Sequence, residues 1–543
     1  MYSQILILSM RCKEKQKALR GFQEPFFQSC LVSFEYKNGL RGLKGEDYEK
    51  KKVEIHLKAA QRLLKVCLLH GGVYTKFGQH IASMNHVLPS QFTETLSVLQ
   101  DKNPSVDIKE IEKTIESELG GPISNFFSEF DETAIAAASL AQVHRAVTKE
   151  GNEVAVKLQY PGLENDVLRD IWTMRLLARA MGYIFPEYEY TWLFPEFEDS
   201  IKLELDFIQE GLNSERVARM FEMEDKVHVP GIHWDYTTKY ILTMDFIRGI
   251  KITDRKAIEF CKMDPKKVAE TVTKAFGEMI YFHGFLHCDP HPGNLMVREM
   301  PKERQKLSRF FRRCKEHQVV LLDHGMYRRL DPAFRLCYCN LWKAFLTRDH
   351  RLGVEQAKKL GLQESGYDFL SLILTWRPST TSAPIDSRIS EFERQKLKDM
   401  YKGLINSELI NSFLESLPRD MLFVMRTGDL VRGINKDLGG TTSKRLICFG
   451  EAAIKGINLK NPGEHAHPSY AKLKEERTAL LQLTQPYADI NQLVSSEMGF
   501  RVSTIGSILD LAKMRSYIWI AESIIKIKWW LSGNRGFTTR DIG

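Results

Sequence analysis

The run His287-Cys288-Asp289-Pro290-His291-Pro292-Gly293-Asn294, followed by Leu321-Leu322-Asp323-His324-Gly325, constrains this chain more than any other feature. An aspartate and an asparagine sit five residues apart on a proline-stiffened loop. Two short apolar runs, Leu295-Met296-Val297 and Val319-Val320-Leu321-Leu322, supply the strands of a hairpin that ends in Asp-x-Gly. Phosphoryl transfer needs this set of groups: Asp289 to accept or orient the proton of a hydroxyl or water, Asn294 to hold magnesium through its amide oxygen, and Asp323 to bridge metal ions and phosphates. His287 and His291 are four apart, but the prolines break any helix that would align them on one metal; they are expected to hold the loop by hydrogen bonds. No neighbour marks a base that would make Cys288 a nucleophile.

Upstream, Ala136-Ala137-Ala138-Ser139-Leu140-Ala141-Gln142-Val143 has the spacing of G-x-G-x-x-G-x-V with each glycine replaced by alanine. Alone, an alanine-rich run is more often helix. Fourteen residues after Val143, Val154-Ala155-Val156-Lys157 matches the strand lysine that pairs with α- and β-phosphates. Glu153 to Leu158 alternates, with Val154, Val156 and Leu158 on one face and Ala155 and Lys157 on the other. Ala136, Ala138, Ser139, Ala141, Val143, Ala155, Lys157, Met244 and Phe246 are therefore assigned to a nucleotide site. A Cβ in the loop obstructs positive φ and close backbone approach to phosphates, so a changed nucleotide preference, toward a diphosphate, and slow transfer are expected.

Three departures separate the pattern from an ordinary protein kinase. Cys288 replaces the arginine of His-Arg-Asp, and His324 replaces the phenylalanine of Asp-Phe-Gly. Gly325 is followed at once by Met326 to Asp331 and a helix opening at Pro332, which leaves no room for the segment that seats a peptide. A small or lipid acceptor, or hydrolysis without transfer, is favoured.

Composition sets wider bounds. The 543 residues are 43% hydrophobic and 27% charged, an ordinary globular balance, and the net charge of +8 is too modest to indicate nucleic acid. Nine cysteines are scattered singly, without a zinc or disulfide framework, which fits a reducing compartment. Basic residues in the first twenty, among them Arg11, Lys13, Lys15, Lys17 and Arg20, give a weak organelle-targeting bias without a clear cleavage region. The run Ile505 to Leu531 is too charged to span a membrane; it reads as a terminal helix packed on the domain or lying on a membrane surface. Lys302, Arg304, Lys306, Arg309, Arg312 and Arg313 surround Phe310-Phe311 in the segment Arg298 to Lys315, which is either solvated or attached to anionic headgroups.

The periodicity predicts one helix from Tyr48 to Gln79, a second from Ile108 to Leu119 stopped by Gly120-Gly121, and a strand from Tyr240 to Phe246 leading to a hinge at Arg248-Gly249. Pro265 to Phe285 reads as helix, and Pro332 to about Ile457 is helical throughout.

With these residues in place, the chain resembles the aarF-domain-containing kinases (UbiB/ABC1 atypical kinases) from roughly Lys51 to Ile457, within the animal mitochondrial branch one and five and nearer the fifth member. Lys76-Phe77-Gly78-Gln79 fits the family's K-x-G-Q and Glu204-Leu205-Asp206 its E-x-D, beside the alanine-rich loop, Lys157, Glu210, His287 to Asn294 and Asp323-His324-Gly325. The resemblance implies that Glu210 pairs with Lys157, and that Lys76 and Gln79 lie on an extension that folds over the nucleotide. Glu204 and Asp206 would face that extension as partners for Lys76, making all four regulatory. It implies ATP or ADP with Mg2+ as cofactors, an anionic or isoprenoid lipid and a membrane surface as partners, and a mitochondrial, membrane-associated location with a role in lipid or quinone homeostasis. Residues before Lys51 match poorly, so the targeting segment is expected to be incomplete.

The fold expected is α+β, a protein-kinase-like two-lobed fold with an N-terminal helical extension and a helical C-terminal tail. Its parts are residues 1–50, an N-terminal segment with a targeting bias; 51–120, the extension; 121–249, a β-rich lobe; 250–460, a helical lobe; and 461–543, the tail. The leading function is an atypical kinase or ATPase, with a serine/threonine protein kinase and a nucleotide-binding pseudokinase scaffold as rivals.

Overall fold

A computed structural model describes residues 24–82, 89–100, 106–184, 193–301, 315–362, 364–375 and 417–458. The basic N-terminal segment, the cluster around Phe310-Phe311 and the C-terminal run from Ile505 lie outside the described residues. Helices and mostly antiparallel sheets make an α+β, two-lobed protein-kinase-like fold. One compact unit takes the chain to Gly211 and from Gly231 to Ile247; the other takes Leu212–Pro230 and the chain from Arg248.

The first unit opens with helices α1 (24–39), α2 (Gly45–His70), α3 (Gly72–Ala82) and α4 (Ser90–Leu96). The periodicity predicts one helix where α2 and α3 stand. Gly71 has φ +65° and Gly72 φ +47°, a left-handed step that ends α2 and restarts the chain as α3. α5 (Ile108–Leu119) begins at Asp107, whose carboxylate accepts from the Lys109 amide, and ends at left-handed Gly120. Its Ile111 and Ile115 pack on Val154, Val156 and Leu158, the buried face of the alternating strand. After the short α6 (Ile123–Phe126) come β1 (Phe127–Phe130), β2 (Ala136–Ala137), β3 (Ala141–Thr148) and β4 (Glu153–Gln159). The sheet runs β1-β3-β4-β6, where β6 is Ile241–Asp245, and β2 folds back on β3. Helices α7 (Leu163–Ile184) and α8 (Leu193–Glu204) complete a second core with Tyr74, Phe197 and Ile201. α9 (Phe207–Met220) follows, its residues to Gly211 counted with this unit.

In the second unit β5 (Val227–His228), β7 (Ile250–Lys251), β9 (Leu295–Glu299) and β10 (His317–Leu321) form a sheet in the order β5-β10-β9-β7. β8 (Phe285–His287) pairs with β11 (Tyr327–Arg329). Helices α10 (Arg255–Phe260), α11 (Pro265–Gly277), α12 (Pro332–Thr347), α13 (His350–Lys359), α14 (Glu364–Thr375), α15 (Arg419–Asp437) and α16 (Thr442–Ile457) make up the rest. The expected helix Pro265 to Phe285 is shorter: α11 widens at Glu278–His283 into a π turn, left-handed Gly284 stops it, and Phe285 starts β8. Arg335 stabilises this widening by donating to the Tyr281 carbonyl at 2.6 Å. No described helix is long and apolar enough to cross a membrane.

Candidate functional site

In the first unit, the pleat that buries Val154, Val156 and Leu158 turns Lys157 to the opposite face of β4. There its Nζ donates to both oxygens of Glu210, at 2.7 and 2.9 Å, and lies 5.1 Å from the Phe207 ring centre. Glu210 is only 2% exposed, so the pair is desolvated and its geometry is held from both sides. Asp206 accepts from the Gln209 amide and its carbonyl from Glu210 N–H, which starts α9 and fixes where Glu210 stands. Asp206 thus caps the helix, and Lys76 makes an ion pair with Glu204 at 2.8 Å.

Lys76 and Gln79 are three apart on α3 and share a face. Gln79 donates to the Leu99 carbonyl at 2.9 Å. Gly78 between them allows the helices to close: a Cβ there would collide with Leu99 and meet Cys67 Sγ at 3.0 Å. Phe77 lies edge-on to Phe197, 5.1 Å between ring centres, and packs α3 against α8.

The alanine-rich segment is a β-turn-β element. Ala136 pairs with Val143, Ala138 N–H donates to the Ala141 carbonyl at 2.7 Å, and Tyr160 Oη donates to the Ala138 carbonyl. Ala136 and Ala138 are exposed while Ser139 and Ala141 are buried. Ala155 is paired with Met244 on β6, and Phe246 N–H reaches the Glu153 carbonyl.

The second unit brings Asp289, Asn294 and Asp323 onto one loop and hairpin. Leu295 pairs with Leu321, and Leu322 N–H donates to the Asn294 carbonyl at 3.0 Å, so Asn294 and Asp323 flank the same end of the hairpin. Asp323 Oδ1 accepts from the Gly325 amide at 2.9 Å. Asp289 and His291 are tied by backbone and ring contacts: His291 N–H to the Asp289 carbonyl at 2.7 Å, and Gly293 N–H to His291 Nδ1 at 3.1 Å. His287 is buried in a stack with Tyr327, 4.8 Å away and 13° from parallel. Burial pushes its pKa down, against the pull of Asp323 and Asp289. His324 is fixed by the Tyr327 hydroxyl and by Asn213, which donates to its carbonyl at 3.0 Å.

Sequence reasoning placed α15 in a helical stretch but missed its part in the site. Its Arg426 Nη2 lies 3.2 Å from Asp289 Oδ1, Thr427 Oγ1 donates to the His287 carbonyl, and Asp420 binds Arg328 at 2.6 Å. The one signal in the sequence is indirect: Cys288 removes the arginine that usually precedes the loop aspartate, and a guanidinium from elsewhere stands beside it. Cys288 Sγ is buried and donates to the Leu286 carbonyl.

Asn294 and Asp323 present hard oxygen donors only, which suits magnesium, an ion that completes its shell with water and phosphate oxygens. Among the described residues no group of three or more His, Cys, Asp or Glu side chains assembles that could hold a metal by itself. The Lys157 ammonium, 16% exposed beside a buried carboxylate, fits a phosphate-binding cation.

A family model described as the ABC1 atypical kinase-like domain matches residues 98–357. The chain is 36% identical over 425 residues to AarF domain-containing protein kinase 1 of Xenopus laevis, covering 78% of this chain and 79% of that one. It is 37% identical over 444 residues to the probable serine/threonine-protein kinase abkD of Dictyostelium discoideum, covering 82% of this chain and 62% of that one. A similar fruit-fly protein, AarF domain-containing kinase 1 of Drosophila melanogaster, is 34% identical over 403 residues, covering 74% of this chain and 75% of the relative.

Proposed function

The chain belongs to the AarF domain-containing, ABC1 atypical kinase family, and from that premise we propose that it binds ATP or ADP with magnesium and acts as a phosphotransferase or ATPase on a small or lipid molecule. The observation that carries the reading is the bidentate contact of Lys157 with buried Glu210. A lysine held this way has one orientation, which suits a cation that binds phosphate oxygens. Asp289 is the proton acceptor for the attacking hydroxyl or water, and Arg426 keeps its carboxylate in place. Asn294 and Asp323 are the magnesium ligands. Bound magnesium supplies charge neutralisation on phosphate oxygens. Lys76 and Glu204 hold the extension helix in a fixed position, the regulatory role assigned to that motif.

The choice of a small or lipid acceptor over a peptide is supported by the chain after Gly325. It enters β11 at Tyr327 and α12 at Pro332, and Asp420 pins this stretch through Arg328 and the Asp331 amide. The family resemblance supports a mitochondrial, membrane-associated setting in lipid or quinone homeostasis, with anionic or isoprenoid lipid as partner. Nucleotide binding and ATP hydrolysis with anionic liposomes, wild type against Asp323→Asn, test the reading. Liposome-stimulated hydrolysis that Asp323→Asn abolishes is the expected result. Labelled phosphate on a protein, lost in Asp289→Ala, would instead establish a protein kinase, and tight nucleotide binding with no turnover would establish a scaffold.

A further inference from the structure

Arg216 on α9 is 7% exposed, and its guanidinium lies over the ring of Phe285, 4.0 Å from Cζ to the ring centre. The ring face satisfies one flat side of the cation. The N–H groups in the guanidinium plane are a separate matter. Nε is buried with no hydrogen-bond partner, and among the described residues no carboxylate pairs with this arginine. Glu215, its neighbour in sequence, turns to Arg219 at 3.7 Å. Buried polar atoms are nearly always paired and buried charges balanced, so Arg216 calls for a counter-ion.

A second arginine comes to the same place. β8 and β11 are antiparallel, with Tyr327 opposite His287 and Arg329 opposite Phe285. Residues directly opposite each other project to one face of the ladder, so Phe285, His287, Tyr327 and Arg329 share a face. Arg329 is exposed there. The acid two residues on, Asp331, is taken up by the Phe334 amide at 2.9 Å. Burial, then the like charge of Arg329, hold the Arg216 pKa down to about 10, which leaves both cations charged at neutral pH. Two guanidiniums beside one ring repel each other, and an anion between them turns that repulsion into attraction. The approach is open on the Arg329 side, so the anion needs no enclosed cavity.

We propose that Arg216 and Arg329 form a phosphate-binding site, in which the buried guanidinium supplies directed N–H donors and the exposed one closes over the anion. The planar fork of arginine suits the oxygens of a phosphate group. An aromatic column carries occupancy inward: Phe285 stacks on Tyr327 at 4.8 Å, and Tyr327 on His287 at 4.8 Å, two residues before Asp289. Binding itself is independent of the kinase reading. Only its effect on turnover rests on that reading.

Thermal shift and calorimetry on the full chain, without nucleotide or magnesium, test the site with inorganic phosphate and glycerol 3-phosphate, against sodium chloride at matched ionic strength. A saturable rise in Tm is expected with at least one phosphate and none with chloride. Phosphate also stabilises proteins generally by exclusion from their surface, but that rise does not saturate and ignores the arginines. Arg329→Gln, at an exposed position, should weaken saturable binding about tenfold, the loss of a charge-assisted hydrogen bond. Arg216→Met, which keeps an apolar stem on Phe285, should abolish it. Lys157→Met should bind phosphate normally, so a failure of the kinase reading is distinguishable from a failure of this one. Sedimentation with phosphatidylcholine vesicles, with and without phosphatidate, then separates the sources. Phosphatidate-dependent sedimentation that Arg329→Gln weakens assigns the site to a lipid headgroup; a Tm shift without such sedimentation assigns it to free phosphate or a small phosphate ester. No saturable shift, a shift retained in both arginine variants, or one lost only in Lys157→Met would overturn the proposal.

Discussion

Arg426 Nη2 stands 3.2 Å from Asp289 Oδ1 across 137 residues of sequence. The arginine is 16% exposed and the aspartate 27%, so the contact is partly shielded from water. A planar guanidinium contact depends on direction as well as on charge, and a lysine ammonium does not reproduce its geometry. Arg426→Ala should lower kcat on the order of 10- to 100-fold while nucleotide affinity stays unchanged, because misplaced reacting groups are costly and the phosphates are held elsewhere. Arg426→Lys should recover only part of the loss. Steady-state kinetics beside a nucleotide titration checks this, and a parallel loss of nucleotide binding would count against it.

Lys157 and Glu210 invite a double-mutant cycle. Lys157→Met removes the ammonium that both Glu210 oxygens face and leaves a carboxylate 2% exposed. Breaking a buried pair from one side costs about 3 kcal/mol or more, whereas replacing both members is often nearly neutral. Lys157→Met should therefore lower Tm more than Glu210→Gln, and adding Glu210→Gln to Lys157→Met should restore most of the loss. All three variants should lose nucleotide affinity. Thermal unfolding of the four proteins tests the stability ordering, and additive losses would refute a coupled pair.

How much of this was legible from the residues alone varied with the range of the interaction. Local signals were clear. Asp107 and Gly120 bound α5 at the predicted ends, and the alternation from Glu153 to Leu158 named the buried face of β4. Backbone conformation was harder. Gly71-Gly72 inside an otherwise continuous helical period gave no warning that both adopt positive φ. The stretch Met279 to Phe285 reads as the end of a helix, and the structure turns it into a π turn and β8 because Gly284 turns left-handed and Arg335 takes the freed Tyr281 carbonyl. Glu210 as the partner of Lys157 came only from the family resemblance, since nothing local distinguishes it among the acids of α8 and α9. Arg426 was invisible because its partner lies in another element, and no spacing rule connects residues that distant.

Ala138 offers a clean test of what alanine does in the phosphate-loop spacing. Its methyl is exposed, and the turn is held by its own N–H to Ala141 and by Tyr160 on its carbonyl. Ala138→Gly should then alter backbone freedom with little loss of packing, within about 1 kcal/mol of stability. The expected outcome is a shift of nucleotide preference from ADP toward ATP and faster turnover, measured by titration with each nucleotide and by phosphate release. Unchanged affinities and rates would remove the alanines from the nucleotide-binding account.

His317 predicts an acid limit on stability. It is buried on β10 with Nε2 2.8 Å from Thr271 Oγ1, and burial, helped by Lys226 and Lys267 against Asp264, pushes its pKa down to about 4. In the unfolded chain the ring titrates near its ordinary value of about 6.5. Above that pH both states are neutral and nothing is lost. As pH falls through the window between the two values, only the unfolded state takes up the proton, so stability declines, by on the order of 3 kcal/mol for this ring once pH 4 is reached. His56, whose pKa burial likewise pushes down to about 4, adds a second contribution with the same sign. His317→Gln keeps a hydrogen-bonding side chain near Thr271 but has no proton to gain, so its Tm should fall less than that of wild type between pH 7.5 and pH 5. Equal falls in the two proteins would mean that His317 is already accessible to protons in the folded state.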